Sequence, residues 1–250
     1  MGTDELLSSS SASQHDPPRI EWQRLVQQIV ALSLNRELFM DVKSQMERIY
    51  RDLTLDEIPW NLERPPRVLV DLVQSGRVSP CQAIDLGCGA GNYAVWLATQ
   101  GFDVTGIDIS PAAVALARGL ARQKGVSCGF VVADLLGAET TFDASFDFAY
   151  DWEVLHHVLP EHRPRYVANV HRMLRVGGCY LSVCFSEDDP GLPGEGKYRH
   201  TPLGTLLYLS SELEMRDLFQ PWFDVEALST VEVEGKRGPH RAVGAWLRKR

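Results

Sequence analysis

The sequence predicts a doubly wound α/β fold on a largely parallel sheet, and three observations carry that reading. A short apolar strand, Ala83 to Leu86, runs directly into a glycine-rich turn, Gly87-Cys88-Gly89-Ala90-Gly91-Asn92, and then into a helical segment. A second apolar run, Val104 to Ile107, ends in the acid Asp108. Further apolar runs at Phe130 to Val132, Phe146 to Asp151 and Tyr180 to Phe185 follow in the order expected of parallel strands joined by crossover connections. With 250 residues, 44% of them hydrophobic, the chain can bury a full core without disulfides or metals.

The first element fixes the chemistry. Glycines at 87, 89 and 91 permit positive φ and let backbone amides approach a ligand that any Cβ would push away. A dinucleotide fingerprint counted from Gly87 would need its third glycine at position 92, where the chain has Asn92; the spacing is G-x-G-x-G, with Asp85 in the strand just before it. A pyrophosphate near Asp85 would be repelled, which disfavours a nicotinamide oxidoreductase, whereas the ammonium and sulfonium of S-adenosylmethionine would be attracted. Asp108 is placed to accept both hydroxyls of a ribose.

The run DLGCGAGN followed by GIDIS resembles the class I S-adenosylmethionine-dependent methyltransferases, over a stretch from about Pro59 to the C-terminus. The resemblance implies a three-layer Rossmann-like fold of seven strands, mostly parallel, with an antiparallel last strand. It implies S-adenosylmethionine as cofactor and a cofactor-binding set of Asp85, Gly87, Cys88, Gly89, Asn92, Asp108, Ile109, Asp134, Leu135 and Asp151. Asp134 follows the third strand, where the family's acid contacts the adenine amino group. The fourth strand ends on Asp151-Trp152-Glu153, followed by Val154-Leu155-His156-His157. For an acceptor that keeps its proton, His156 or Asp151 is the catalytic candidate, with His157 behind them; the plain alternative for either histidine is a packing role. Asp147, at the start of that strand, reads as a solvated or helix-capping acid.

The remaining elements fill out the domain. Residues 1–18 are Ser-rich and polar and read as a disordered tail. Apolar positions at Trp22, Leu25, Val26, Ile29 and Val30, then Leu38, Phe39, Val42, Met46 and Ile49, give a helical extension or lid over 19–57, ahead of a methyltransferase domain over 58–250. Pro65-Pro66 opens a helix. Val170 to Arg175 reads as the end of a helix stopped by Gly177-Gly178, leading into the fifth strand at Tyr180. The stretch 186–206, rich in Pro and Gly, reads as an insertion at the carboxyl edge of the sheet, with Tyr198, Arg199 and His200 as substrate contacts. A helix near 211–219 and strands near 223–233 and 242–247 complete the pattern.

Charge and cysteine usage bound the function. The formal net charge of -8 and the lack of a basic stripe argue against a nucleic-acid partner. The five cysteines form no C-x-x-C pair, which points to a reduced, cytoplasmic protein with no metal site. No run reaches membrane-spanning length, so a membrane partner is not expected; oligomeric state is left open. The segment Ile58-Pro59-Trp60 through Pro65-Pro66 resembles the thiopurine, halide and thiol methyltransferase branch and its tellurite-resistance relatives. That resemblance implies a small-molecule acceptor with a soft nucleophile such as a thiol, and a Trp60 ring packed over the cofactor. A small-molecule O- or N-methyltransferase, and a non-catalytic protein that binds the same cofactor, stay open beside it.

Overall fold

A computed structural model describes residues 42–137, 142–192 and 194–250. The tail at 1–18 and the extension as far as residue 41 lie outside the described residues. From Val42 to Arg250 the chain is one compact unit, and it already includes helix α1 (42–52), which the sequence reading assigned to the extension.

The sheet is built from β1 (Gln82–Leu86), β2 (Asp103–Asp108), β3 (Gly129–Val132), β4 (Phe146–Trp152), β5 (Leu174–Phe185), β8 (Phe223–Val233) and β9 (His240–Lys249), in the order β3-β2-β1-β4-β5-β9-β8. Pairings from β3 across to β5 are parallel; β9 alone runs antiparallel to both of its neighbours. Order reverses between β1 and β4, the point where such folds open a ligand crevice at the carboxyl ends of their strands. Around the sheet lie α2 (Arg67–Gln74), α3 (Asn92–Thr99), α4 (Pro111–Lys124), α5 (Arg163–Met173) and α6 (Glu212–Phe219).

Local sequence explains each boundary that matters for the site. Ser110 caps α4 by accepting the Ala113 N–H at 3.1 Å, with Pro111 at the first helical position. Ser211 and Glu214 form a reciprocal capping box on α6. The short strands β1 and β4 are buried on both faces, with Ala83, Phe148, Tyr150, Leu181 and Val183 meeting in one cluster that also takes Trp246 from β9; a sheet covered on both sides reads as continuous apolar runs.

Two expectations need correction. Helix α5 ends at Met173, and β5 starts at Leu174, so Gly177 and Gly178 lie inside the strand and do not stop the helix. They sit where the β4–β5 register shifts between Phe146 and Phe148, an irregularity that glycine tolerates. The 186–206 insertion is also more ordered than its composition suggests: β6 (Tyr198–His200) and β7 (Leu206–Tyr208) pair as an antiparallel hairpin, closed by a 2.7 Å hydrogen bond between the Thr201 and Thr205 hydroxyls. Asp147 accepts from Arg175 Nη1 at 2.7 Å at the start of β4, a half-exposed ion pair.

Candidate active site

At the carboxyl end of β1 the backbone turns through Gly87 at φ +77° and Gly89 at φ +51°, a left-handed path open to glycine at low cost. Space forbids a side chain as firmly as conformation does. A Cβ on Gly87 would stand 2.5 Å from Val154 Cγ2, and one on Gly89 would stand 2.5 Å from the Tyr50 hydroxyl. The Gly87 and Cys88 amides donate to Ile107 O at 2.7 and 2.8 Å, which pins the turn to the end of β2.

Two acids frame this turn. Asp108 closes β2; its Oδ2 accepts the Gly89 N–H and its Oδ1 the Ser110 N–H, both at 2.9 Å. Burial nonetheless pushes its carboxyl upward. Asp85 is buried in β1, and its Oδ2 has no hydrogen-bond partner. Burial raises this carboxyl to about 7, against the pull of the Tyr150 hydroxyl and of the Ala94 N–H in the first turn of α3. A buried carboxylate oxygen without a partner is costly, and a cation placed against it would restore its charged form.

Helix α1 closes one side of the turn. Glu47 accepts from the Ser110 hydroxyl at 2.6 Å and the Ala112 N–H at 3.0 Å, docking the helix onto the start of α4. Tyr50 then lies beside Gly89, and the Trp60 Nε1–H donates to its hydroxyl at 2.9 Å. Ile109 packs among these same residues. The Asn92 carboxamide donates to Asn61 Oδ1 and Leu62 O, holding the Pro59–Leu62 segment over the start of α3. Trp60 therefore stands at the turn, edge-on to His157 with ring centroids 6.1 Å apart.

The other predicted residues separate into those at the crevice and those behind it. Cys88 turns inward: its Sγ packs over Gly106, and burial pushes its thiol well up, so the side chain is core. Asp134 follows β3, where its Oδ1 accepts the Leu136 N–H at 2.8 Å, and Leu135 O accepts from Asn169. Asp151 corrects an expectation. In register Asp85 lies opposite Tyr150, and strand alternation sends Asp151 to the opposite face, where it is fully buried and accepts from the Tyr180 hydroxyl. Its carboxyl, raised to about 7 by burial, belongs to that internal polar cluster and does not face Asp85.

His156 is likewise committed. It stacks on Phe185 with centroids 4.4 Å apart, its Nδ1 accepts the Phe185 N–H at 3.3 Å, and burial holds it neutral. His157, also held neutral by burial at about 4, has a buried Nδ1 with no partner. Arg163 fixes the segment carrying both histidines by donating to Val158 O and Leu155 O, and reaches across to Tyr208 O and the Ser210 hydroxyl. In the hairpin, alternation leaves Tyr198 and His200 exposed and turns Arg199 inward; only Arg199 of the three is enclosed.

Sequence reasoning did not single out Glu153, Tyr93, Asp189 or His240. Glu153 follows β4 directly, with a carboxyl raised by burial to about 8. Asp189 accepts from His240 Nδ1 at 2.8 Å and from Arg241 N at 2.9 Å. An acid at the end of β4 was a readable signal; the pairing of residue 189 with residue 240 was not, because it joins a loop to a distant strand. Among the described residues no group of three or more His, Cys, Asp or Glu side chains is arranged to hold a metal ion, and no helix is long and apolar enough to cross a membrane.

The crevice fits S-adenosylmethionine on its own terms: an unpartnered buried carboxylate for a cation, a backbone cradle that any Cβ would fill, and an acid at the end of β2 for a diol. Comparison with known proteins agrees. The methyltransferase domain family matches residues 83–178. A Mycobacteroides abscessus 2-heptyl-1-hydroxyquinolin-4(1H)-one methyltransferase is 27% identical over 194 residues, 76% of this chain and 80% of that protein. A probable thiol methyltransferase of Arabidopsis thaliana is 27% identical over 195 residues, 75% of this chain and 79% of that protein. The chain spans about half the length of other curated relatives that it matches. In fold, it superimposes on the Burkholderia thailandensis 1,6-didemethyltoxoflavin-N1-methyltransferase, solved with S-adenosylhomocysteine, at a TM-score of 0.58 and 20% identity, over 97% of this chain and 93% of that one. The methyltransferase domain over 83–178, the fold and the relatives support a class I S-adenosylmethionine-dependent methyltransferase with S-adenosylmethionine as its cofactor.

Proposed function

We propose that the protein transfers the methyl group of S-adenosylmethionine to a small molecule bound between the end of β4, the 186–209 segment and the β8–β9 edge. One observation carries the reading: Asp85, buried with an unpartnered oxygen, lies at the glycine turn, and Tyr93, Trp152, Leu192 and Val231 stay only partly buried against the core. When bound, the cofactor supplies an already activated sulfonium methyl. The protein's own residues supply alignment and exclusion of water: alignment alone is worth roughly 7 to 11 kcal/mol in such displacements. In this reading Asp85 holds the methionine ammonium, Asp108 the ribose hydroxyls, and Ile109, Asp134 and Leu135 the adenine, while Trp60 packs over the cofactor.

The similar proteins act, by their names, on a hydroxyquinolinone and on thiols, so both an O–H or N–H acceptor and a soft thiol are in reach of the reading. The test is calorimetric titration with S-adenosylmethionine and S-adenosylhomocysteine. Micromolar binding lost in Asp108→Ala supports it, and absence of binding by the intact protein overturns it. Transfer of labelled methyl to an acceptor panel then separates an enzyme from a protein that only binds the cofactor.

A further inference from the structure

Glu153 occupies a costly position. Its φ is +63°, in the left-handed region where a glycine would sit without penalty and a long side chain does not. The residue is nevertheless held there, its N–H donating to Val183 O at 2.8 Å. The next residue, Val154, packs on Gly87, so the strained residue is one step from the cofactor turn. A backbone outlier beside a ligand turn points to a use for its side chain.

The surroundings of that side chain are acidic or neutral. Facing it are the Trp152 indole from β4, the Tyr93 phenol from α3 and the Asp189 carboxylate from the segment after β5. Tyr93 Oη is buried without a hydrogen-bond partner, and the buried Trp152 Nε1–H is the group that favours the charged form of Glu153. Asp189 is already engaged by His240 and the Arg241 amide. No cation contributes to the charge balance of Glu153, which burial shifts from 4.5 to about 8, with Trp152 opposing and Asp189 reinforcing. With Asp189 committed to His240 and no cation among the groups that set its charge, Glu153 offers nothing to bind an anionic acceptor, and a carboxyl that changes charge near neutrality suits proton transfer.

Resting on the methyl-transfer reading above, we propose that Glu153 takes the proton of the methyl acceptor, so that the cleft serves neutral molecules with an O–H or N–H nucleophile and not thiolates. The acceptor's lone pair forms the new bond to the methyl carbon, and the sulfur–carbon bond breaks with its electron pair left on sulfur. The acceptor proton moves to the Glu153 carboxylate. A cationic sulfonium, a carboxylate and a neutral acceptor thereby become a neutral thioether, a carboxylic acid and a neutral methylated product, and the acid returns its proton to solvent on product release. Tyr93 and Trp152 donors would hold the acceptor atom beside the carboxylate.

Three readouts test this with the full chain. In the free protein, Trp152 fluorescence should titrate near pH 8, and the transition should vanish in both Glu153→Gln and Trp152→Phe; an unchanged transition in Glu153→Gln overturns the proposal. In the S-adenosylhomocysteine complex at pH 9, 2-naphthol should bind at least tenfold more tightly than 2-naphthalenethiol; equal or reversed affinity overturns it. Glu153→Gln should lower methylation of whichever O–H or N–H compound proves active by at least 100-fold, removing the rise of activity as pH passes through about 8 while leaving S-adenosylhomocysteine affinity within twofold; retention of a tenth of the activity overturns it. Glu153→Gly guards against a folding artefact, since it should melt at a higher temperature while losing the same transition. Failure of the intact protein to bind S-adenosylhomocysteine would instead strike the underlying function.

Discussion

The two halves of the crevice are made differently. On the β1–β2 side, recognition rests on backbone: a glycine turn, its amides pinned to Ile107 O, and two acids within 24 residues of chain, Asp85 to Asp108. On the β4–β9 side it rests on side chains drawn from distant segments, with Tyr93, Glu153, Asp189 and His240 brought together only by the closed fold. In the proposed function the first half fixes the donor and tolerates little change, and the second carries acceptor choice.

The largest effect that would break this contrast is at Gly89. A side chain there meets both a left-handed backbone and the Tyr50 hydroxyl, so Gly89→Val should weaken S-adenosylhomocysteine binding by about 100-fold or more, measured by calorimetry. Relief by Tyr50→Ala would apportion the loss between backbone and roof. Asp108→Ala comes next: losing charged hydrogen bonds should weaken the same binding by about 30-fold.

Asp85 gives a pH-dependent test of the same half. Its carboxyl stands near 7 in the free protein, and a bound ammonium favours the carboxylate. Affinity should therefore fall as pH drops below 7, by about tenfold from pH 8 to pH 6, with proton release on binding near pH 7. Asp85→Asn should abolish that dependence. It should also stabilise the free protein at alkaline pH: between pH 4 and 7 the native state holds a proton that the unfolded chain has given up, so stability falls across that window and above pH 7 the buried carboxylate stands ionised at full cost; thermal melts from pH 5 to 8 measure this directly. Smallest are the changes in the hairpin. Tyr198→Ala and His200→Ala, both exposed, should alter acceptor turnover less than about twofold, whereas Arg199→Met, at an enclosed position, should change the acceptor KM and leave cofactor affinity unchanged.

Legibility in the sequence follows the same division. The glycine turn, Asp85 and Asp108 could be read because backbone conformation and charge at adjacent positions decide what they do. The seven mostly parallel strands and the antiparallel last strand followed from the family pattern. Asp151 was misjudged because an acid at a strand end was weighed by its position and not by its face; the period-two alternation that puts Tyr150 opposite Asp85 sends Asp151 the other way. Glu153 stood in plain view, but a positive φ at a glutamate has no local sequence signature. The three-residue strands of the hairpin were too short to show periodicity.

The segment that carries this hairpin leaves and rejoins the domain at nearly one point. Ser186 bridges to Ser210, Ser210 N donates to Phe185 O, and Glu187 N donates to Ser210 O. A stretch whose ends already touch can be lengthened, shortened or replaced by recombination with little strain on the strands that hold it. In evolutionary terms it is a detachable cassette: if it lines the acceptor site as proposed, descendants of this gene can acquire a taste for new acceptors by trading these residues, while inheriting the glycine turn intact.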